Sequence, residues 1–347
     1  MTAVVSLTPA PVIDRTYLVD EFDAGKVNRA SELREFLSGK GLNVSRTLRE
    51  AGVPTSAVLP IGREDEHLLF RTPHPYVLRI RQIPGRMRVN TAILEPDGRT
   101  TNINQRPVPV PRDDWEATVD MTLAEIETLR ADWLVVSGSL PRYAGEGTES
   151  KKADRVDLSR LFERARALGV RIAFDSSGGS LDRWTSSGLV DLIKPNADEL
   201  ATLVERHLTT VGDVLEAGRE VIDRHGLEVA LVSMGGDGAL AITRDEAWWG
   251  LAKAPAIVNT TGAGDATLAG FLGHSIQGPG RVGGAVFHDD LPRLGIKRAL
   301  AHAVSYGALC VSLPTTIIQD LSQLPEAVIE RPDPERPLSE PTKFFAK

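Results

Sequence analysis

The stretch Asn259-Thr260-Thr261-Gly262-Ala263-Gly264-Asp265-Ala266 lies between an apolar run, Ala254 to Val258, and a helical pattern carrying Leu268, Phe271, Leu272 and Ile276. Its glycines let the backbone turn tightly and present successive N–H groups. A helix that starts there adds the positive end of its dipole. Asp265, set beside those donors, could take a proton from a hydroxyl while the amides steady a phosphoryl group in transfer. The same string also reads as a plain turn in which Asp265 compensates the helix dipole.

Outward from this string, short apolar runs alternate with helical patterns. The runs are Val4–Leu7, Ala57–Ile61, Trp133–Val136, Ile172–Phe174, Leu189–Ile193, Ala230–Val232 and Ala239–Ile242. The helical patterns include Val44–Glu50, Trp115–Arg130, Leu158–Leu168, Val214–Arg224 and Ala299–Val311. Strands alternating with helices predict an α/β fold, a mostly parallel sheet covered on both faces, with ligands beyond the carboxyl ends of the strands. The polar and glycine-bearing strings fall at those ends: Ser137-Gly138-Ser139, Asp175-Ser176-Ser177, Lys194-Pro195-Asn196 and Ser233-Met234-Gly235-Gly236. Two stretches break the alternation, Asp14 to about Ser38 and Ile83 to Val110. The second alternates through Met87–Leu94 and turns at Pro96-Asp97-Gly98, as a hairpin does. Together they predict a small sheet standing off the main body. Residues 1–13, 37–82 and 111–329 are therefore assigned to the main domain, 14–36 and 83–110 to the small sheet, and 330–347, rich in proline and charge, to a loose tail. Loops 142–157 and 278–292 are long and polar.

The composition excludes several classes. The 347 residues carry a formal charge of -7 with no long basic run, which argues against nucleic acid and anionic membrane as partners. A lone cysteine, Cys310, rules out an internal disulfide, and the opening residues read as a strand rather than a signal peptide, so a cytoplasmic protein is expected. The seven histidines show no metal-site spacing. Gly39-Lys40 lacks the context of a P-loop, and Gly262–Thr267 ends in threonine where a dinucleotide fingerprint needs glycine.

Other strings each admit two readings. Ser38-Gly39-Lys40-Gly41-Leu42-Asn43 opens a helix: its glycines suit close approach of a ligand and Lys40 offers a cation, or it is a glycine-rich start with a solvated lysine. Asn196-Ala197-Asp198-Glu199 could steer the water shell of a magnesium ion through Asn196 and Glu199, or form a capping box. Ser233–Gly238 could wrap a phosphate chain or simply turn a hairpin. Arg88 and Asn90 share one strand face and could grip a phosphate or hydroxyls.

In this order from Ser6 to about Thr316, the strings resemble those of the ribokinase-like (PfkB) sugar kinases. The likeness is to the phosphosugar branch of 1-phosphofructokinase, tagatose-6-phosphate kinase and minor 6-phosphofructokinase. Gly-Lys-Gly-x-Asn-Val at 39–44 and Thr-x-Gly-Ala-Gly-Asp at 260–265 resemble the two family signatures. Ser-Gly-Ser-Leu-Pro at 137–141, Asp-Ser-Ser at 175–177, Lys-Pro-Asn-x-x-Glu-Leu at 194–200 and Ser-x-Gly-x-x-Gly at 233–238 fall between them.

The resemblance implies a three-layer α/β/α fold with a β-sheet lid and a homodimer through that lid. It implies Asp265 as the base and Gly262, Ala263 and Gly264 as an anion hole. Asp14, Gly39 and Asn43 would hold sugar hydroxyls, with Lys26, Lys40, Arg88, Asn90 and Ser139 as further substrate contacts. Lys194, Asn196, Ser233, Gly235, Gly238 and Thr260 would form the ATP site, with Glu199 acting on Mg2+ through water. ATP with Mg2+ is implied, and a monovalent cation is left open. Ala10-Pro11 stands where the family has Asn-Pro, and the segment between Gly62 and Gly85 is shortened, so the departures gather around the acceptor. Fructose 1-phosphate is the expected acceptor, with fructose 6-phosphate and tagatose 6-phosphate as alternatives. A non-catalytic sugar-phosphate sensor is the rival from another class.

Overall fold

The computed structural model describes residues 2–145, 155–274 and 293–343. Loop 278–292 and most of loop 142–157 lie outside the described residues. Strand β1 (Val4–Leu7) sits inside the main sheet and pairs in parallel with strands on both sides. It needs no polar face, because helices cover both surfaces. Val5 and Leu7 point into one apolar layer and Val4 into the other, the alternation that a pleated strand imposes.

Chain order then runs β2 (Val12–Val19), β3 (Ala30–Ser38), α1 (Lys40–Glu50), β4 (Thr55–Gly62), β5 (Leu78–Ile83), β6 (Arg88–Leu94) and β7 (Thr100–Asn104). There follow α2 (Arg112–Leu129), β8 (Trp133–Ser137), α3 (Ser159–Ala167), β9 (Arg171–Asp175), α4 (Gly178–Thr185), β10 (Leu192–Ile193) and α5 (Ala197–Leu203). The last part is α6 (Val211–His225), β11 (Val229–Ser233), β12 (Ala239–Ile242), β13 (Ala247–Ala252), α7 (Ala263–His274), α8 (Arg293–Val311) and β14 (Ala327–Glu330).

The main sheet has ten strands in the order β14-β13-β12-β11-β10-β9-β8-β1-β4-β5, parallel from β11 to β5 and antiparallel beyond. One face is covered by α2 to α6, whose Trp115, Phe162, Trp184 and Val221 meet Val5 and Leu134. The other is covered by α1, α7 and α8 through Val44, Leu48, Leu268, Phe271 and Leu300. Burying such side chains stabilises the fold by about 1.5–3 kcal/mol each before the loss of chain entropy is counted.

Strands β3-β2-β6-β7 form the separate small sheet. Strand β2 pairs antiparallel with β3 and parallel with β6, which places Asp14 opposite Asn90. The hairpin expected around Pro96-Asp97-Gly98 is present as β6–β7. Strand β3 feeds α1 through Gly39, whose φ is +150°; a Cβ there would come within 2.5 Å of Thr8 Cγ2. The absence of a side chain at Gly39 lets the base of the small sheet approach the residue after β1.

Three expectations need correction. The run Leu189–Ile193 forms strand only at Leu192–Ile193, because Asp191 turns its carboxylate onto the Ile172 N–H (2.7 Å) and the Arg166 guanidinium (2.5 Å). Ile83, expected to open the second small-sheet segment, instead ends the edge strand β5 of the main sheet, paired with Gly62 of β4. The C-terminal segment, expected to be loose, begins as β14 and continues to residue 343 along α6 and the β11–β12 turn. Leu338 and Thr342 are buried in its course, which supplies the apolar burial its composition conceals.

Candidate active site

The carboxyl ends of β8, β9 and β10 and the starts of α1 and α7 converge on one charged cluster. Asp175 ends β9 and is wholly buried. Ser137, ending β8, donates to its Oδ2 at 2.9 Å, Lys40 Nζ lies 3.3 Å from its Oδ1, and Lys194 Nζ lies 3.6 Å from the same oxygen. Burial pushes this carboxyl up, but Lys194, Lys40 and Ser137 outweigh it and hold Asp175 below the usual carboxylate range. Asp175 in turn raises the Lys40 ammonium against burial, so Lys40 stays charged. Its side chain remains 43% exposed and lines the opening.

Asp265 is in the first turn of α7 and only 4% exposed. Its Oδ2 accepts from Asn43 Nδ2 at 2.9 Å, which joins the starts of α7 and α1. Burial pushes the Asp265 carboxyl up to about 7, with Lys40 pulling it down and Asp175 pushing it further up. A carboxylate poised near neutrality is what proton removal from a hydroxyl requires.

The loop before α7 is held in shape. Asn259 Oδ1 accepts from Thr261 N at 2.9 Å, Thr260 O accepts from Ala263 N at 3.4 Å, and Gly262 turns at φ +83° with Thr316 where a Cβ would stand. The first-turn N–H groups of Gly264 and Asp265 have no helical acceptor by position. A Cβ on Gly264 would lie 2.9 Å from Lys194 Nζ, so the lysine rests against the helix start.

The second half of the site comes from the small sheet. Asp14 is pushed up by burial and held down by Ser38, Arg88, Asn90 and Arg46. Arg88 sends Nη2 to Ala10 O (3.1 Å) and Nη1 to Gln105 O (3.4 Å), while its Nε and the Asn90 Oδ1 are buried without a partner. Asn43 Oδ1 is likewise buried and unpartnered. Such polar atoms, ready to bond a polyol or a phosphate, mark a site built for a ligand.

The segments expected to border a nucleotide are also neighbours. Asn196 bridges Ser233 in parallel, so Lys194–Asn196 lies beside the start of the Ser233–Gly238 turn. Gly235 and Gly238 take φ of +58° and +89°, and a Cβ on Gly238 would fall 2.2 Å from Gly250 O. The capping box is real: Asn196 Oδ1 accepts from Glu199 N at 2.8 Å and Glu199 Oε2 accepts from Asn196 N at 2.9 Å. Glu199 is nevertheless pushed up by burial and by Asp175, so it belongs electrostatically to the cluster as well.

Not every expected residue arrives. Lys26 sits on an exposed turn of the small sheet, paired with Asp23 at 2.9 Å. Ser139 is half-buried past Gly138, which itself packs 3.8 Å from Lys40 Cβ when given a Cβ. Two residues were given no role from sequence. Asp175, the hub of the cluster, is visible in the sequence as an acid closing a strand and as part of the Asp-Ser-Ser string of the resemblance, with no role attached. Arg46, buried on α1, donates Nη1 to Leu37 O at 3.0 Å and leaves Nε and Nη2 without partners. Burial lowers it to about 10, against the pull of Asp14. A cavity of about 500 Å³ between β5 and α2, lined by Arg63, Arg81 and Asp114, lies apart from the cluster.

A charged cluster at the carboxyl ends of a parallel sheet, with a second small sheet beside it and a buried acid at a glycine-lined helix start, is the architecture of a sugar kinase. The pattern of the pfkB family carbohydrate kinases matches residues 1–322, and the chain belongs to that family. It is 34% identical to a 1-phosphofructokinase of Rhodobacter capsulatus over 273 residues, 78% of this chain and 82% of that one. It is 28% identical to a 1-phosphofructokinase of Escherichia coli K12 over 92% of this chain and 95% of the relative. The crystal structure of phosphofructokinase-2 from Escherichia coli in complex with potassium shares the fold, with a TM-score of 0.73 at 22% identity over 92% of this chain and 96% of that one. A tetrameric inhibited form of phosphofructokinase-2 from Escherichia coli gives 0.69 at 23% identity over 90% and 93%. The protein is thus an ATP-dependent sugar-phosphate kinase of the phosphofructokinase type, with ATP as co-substrate and a divalent metal. No described helix is long and apolar enough to cross a membrane.

Proposed function

We propose that the protein phosphorylates fructose 1-phosphate to fructose 1,6-bisphosphate, with Asp265 as the base. The observation that carries this is the position of Asp265: buried at the start of α7, held by Asn43, and carrying a carboxyl of near-neutral proton affinity beside two lysines. The attacking sugar oxygen forms its bond to the γ-phosphorus of ATP as the bond from that phosphorus to the β–γ bridging oxygen breaks. The hydroxyl proton passes to the Asp265 carboxylate, and ADP leaves with the electron pair. The anion hole of Gly262, Ala263 and Gly264 would stabilise the equatorial oxygens, with the Gly264 N–H free by position and the Ala263 N–H held only by a long bond to Thr260 O (3.4 Å). Lys194 lies close enough to the helix start to share that charge.

Asp14, Asn43, Asn90 and Gly39 orient the sugar hydroxyls. Lys40 and Arg88 carry its phosphate, whereas Lys26 remains on the lid surface and Ser139 on the cleft wall. Thr260, Ser233, Gly235 and Gly238 line the nucleotide side with Lys194 and Asn196. Among the described residues no group of three or more His, Cys, Asp or Glu side chains could cage a metal, which fits a Mg2+ carried on nucleotide phosphates and its own waters. Glu199 would steer those waters, and the ion supplies charge neutralisation on the phosphates when bound. The relative's potassium complex motivates a parallel assay with and without K+. Leu33 and Ile103, both more than half exposed, lie by strand register on the small-sheet face opposite Asp14, the face suited to pair with a second copy.

A coupled ADP-release assay over free sugars and sugar phosphates tests this. Fructose 1-phosphate should give the highest kcat/KM. A preference for fructose 6-phosphate or tagatose 6-phosphate would reassign the acceptor, and no ADP release with any of them would favour the sensor.

A further inference from the structure

Past β14 the chain crosses the nucleotide end of the molecule as a strap. Arg331 stacks on Trp248 (3.9 Å to the ring centroid) and Arg336 on Trp249 (4.1 Å). Pro334 O accepts from Gly212 N at 3.1 Å, Arg336 O from Val211 N at 2.9 Å, and Thr209 O from Leu338 N at 2.9 Å. Thr342 Oγ1 then accepts from Leu208 N at 2.8 Å in a buried contact. These bonds fix the strap to the start of α6 and make its next two contacts geometrically determined. Ser339 gives both donors to one carboxylate, its N–H to Asp237 Oδ2 (2.8 Å) and its hydroxyl to Asp237 Oδ1 (2.5 Å). Lys343 N–H donates to Asp198 Oδ1 at 2.7 Å.

Asp237 lies between Gly236 and Gly238 in the glycine turn after β11, and Asp198 lies in the first turn of α5, two residues after Asn196. Each is an acid beside a segment assigned to ATP phosphates. The neutral donors leave each carboxylate charged but fix its direction, and a mobile glycine turn would have to be ordered on binding. Trp249 Nε1 also donates to Asp237 O at 2.8 Å, so the same acid is held at its backbone by a residue that Arg336 covers.

We propose that residues 331–343 are a positioning strap for the nucleotide: Ser339 and the Lys343 amide hold the Asp237 and Asp198 carboxylates and preset both edges of the ATP site. The family pattern stops at residue 322, so the strap lies beyond it. The proposal rests on the reading that the 194–199 and 233–238 segments bind ATP.

The test uses the full chain, Ser339→Ala, Ser339→Thr and a chain ending at Leu338. Binding of a non-hydrolysable ATP analogue with Mg2+ is followed by calorimetry, and KM is measured separately for ATP and for the sugar phosphate. Loss of the hydroxyl in Ser339→Ala should weaken analogue binding and raise KM for ATP roughly three- to tenfold, and the shortened chain by at least as much. KM for the sugar phosphate should stay within about twofold, and Ser339→Thr should recover the nucleotide affinity. Analogue affinities within twofold of the full chain in every folded variant would overturn the strap while leaving the nucleotide site standing. Equal losses for both substrates would do the same, marking a general structural role. If the full chain binds no analogue, the nucleotide site itself falls and the strap with it. If the shortened chain fails to fold, the Ser339→Ala and Ser339→Thr pair still decides.

Discussion

Asp265→Asn should remove activity and stabilise the protein, and the stabilisation should have a defined pH dependence. In the open chain the Asp265 carboxyl titrates near 3.8; in the fold it is pushed up to about 7 by burial. Below 3.8 both states hold the proton and burial of the group is nearly free. Between the two values the unfolded chain has released it while the native state keeps it, so native stability falls as pH rises. Above 7 both are ionised and the native state carries the whole cost of a buried charge. At about 1.36 kcal/mol per pH unit, that cost grows from roughly 1.5 kcal/mol at pH 5 to about 4 kcal/mol at pH 8.

Asparagine removes the charge and keeps the oxygen that accepts from Asn43 Nδ2. Its new N–H donors have the unpartnered Asn43 Oδ1 as an available acceptor. Lys194 and Lys40 lose a nearby negative charge but keep Asp175, which limits the offset. Urea denaturation of both proteins from pH 5 to 8.5 should therefore show the variant gaining stability over wild type as pH rises, by roughly 2–3 kcal/mol between pH 5 and 8. Turnover should meanwhile fall about 10²–10⁴-fold with nucleotide binding retained. A variant no more stable than wild type at pH 8, with a difference flat in pH, would show that Asp265 is not a buried acid held near neutrality. Near-normal turnover would remove it from the mechanism.

The same charges predict the activity profile. Wild-type kcat/KM should rise with pH through a limb near 7, as expected of a base in the free enzyme; Lys40→Met should move that limb upward and Asp175→Asn downward, and a limb unmoved by either would disconnect the cluster from Asp265. Gly264→Ala places a methyl 2.9 Å from the Lys194 ammonium, the movable end of a long side chain, so denaturation should shift by less than about 1 kcal/mol while kcat/KM drops roughly tenfold. Loss of stability without loss of rate would mean that Lys194 serves packing alone. Arg88→Ala should raise KM for the sugar phosphate about 10- to 100-fold and leave turnover of free fructose little changed, and equal effects on both acceptors would argue against a phosphate contact.

The convergence of the residues proposed for catalysis was legible because each is local to its element. Asp265, Lys40 and Lys194 each stand at a glycine- or proline-marked junction of strand and helix, and parallel strands send all such junctions to one end. What sequence could not supply was pairing across the sheet. The role of Asp175 depends on β9 lying between β8 and β10, so that Ser137 and Lys194 reach it from either side; nothing in Asp-Ser-Ser announces those neighbours. Lys26 lies outside this convergence: it sits on an exposed turn, where Asp23 three residues earlier engages it. The tail misled because composition reports propensity and not partners. Its prolines and charges hide Leu338 and Thr342, whose burial needs the start of α6 to be in place.

That division between local and cross-sheet information follows the division of labour in the site. On the proposed reading, proton transfer and phosphoryl stabilisation draw on Asp175, Lys194, Asp265 and Lys40, and Lys40 also helps carry the acceptor's phosphate. On the same reading the small sheet's share of acceptor recognition is Asp14, Arg88 and Asn90, which meet through the register of β2 with β6, and Gly39, Lys40 and Asn43 add to it from the start of α1. Substitutions in β2 or β6 should therefore reshape the proposed acceptor contacts without touching the bonds that tune Asp265, since among the described residues the side-chain hydrogen bond to that carboxylate comes from Asn43 of α1. Gly39, wedged against Thr8, is where the small sheet's strand β3 enters α1, and a side chain there would disturb both halves at once. On that reading the small sheet tunes the acceptor, the large sheet carries the reaction, and the start of α1 serves both.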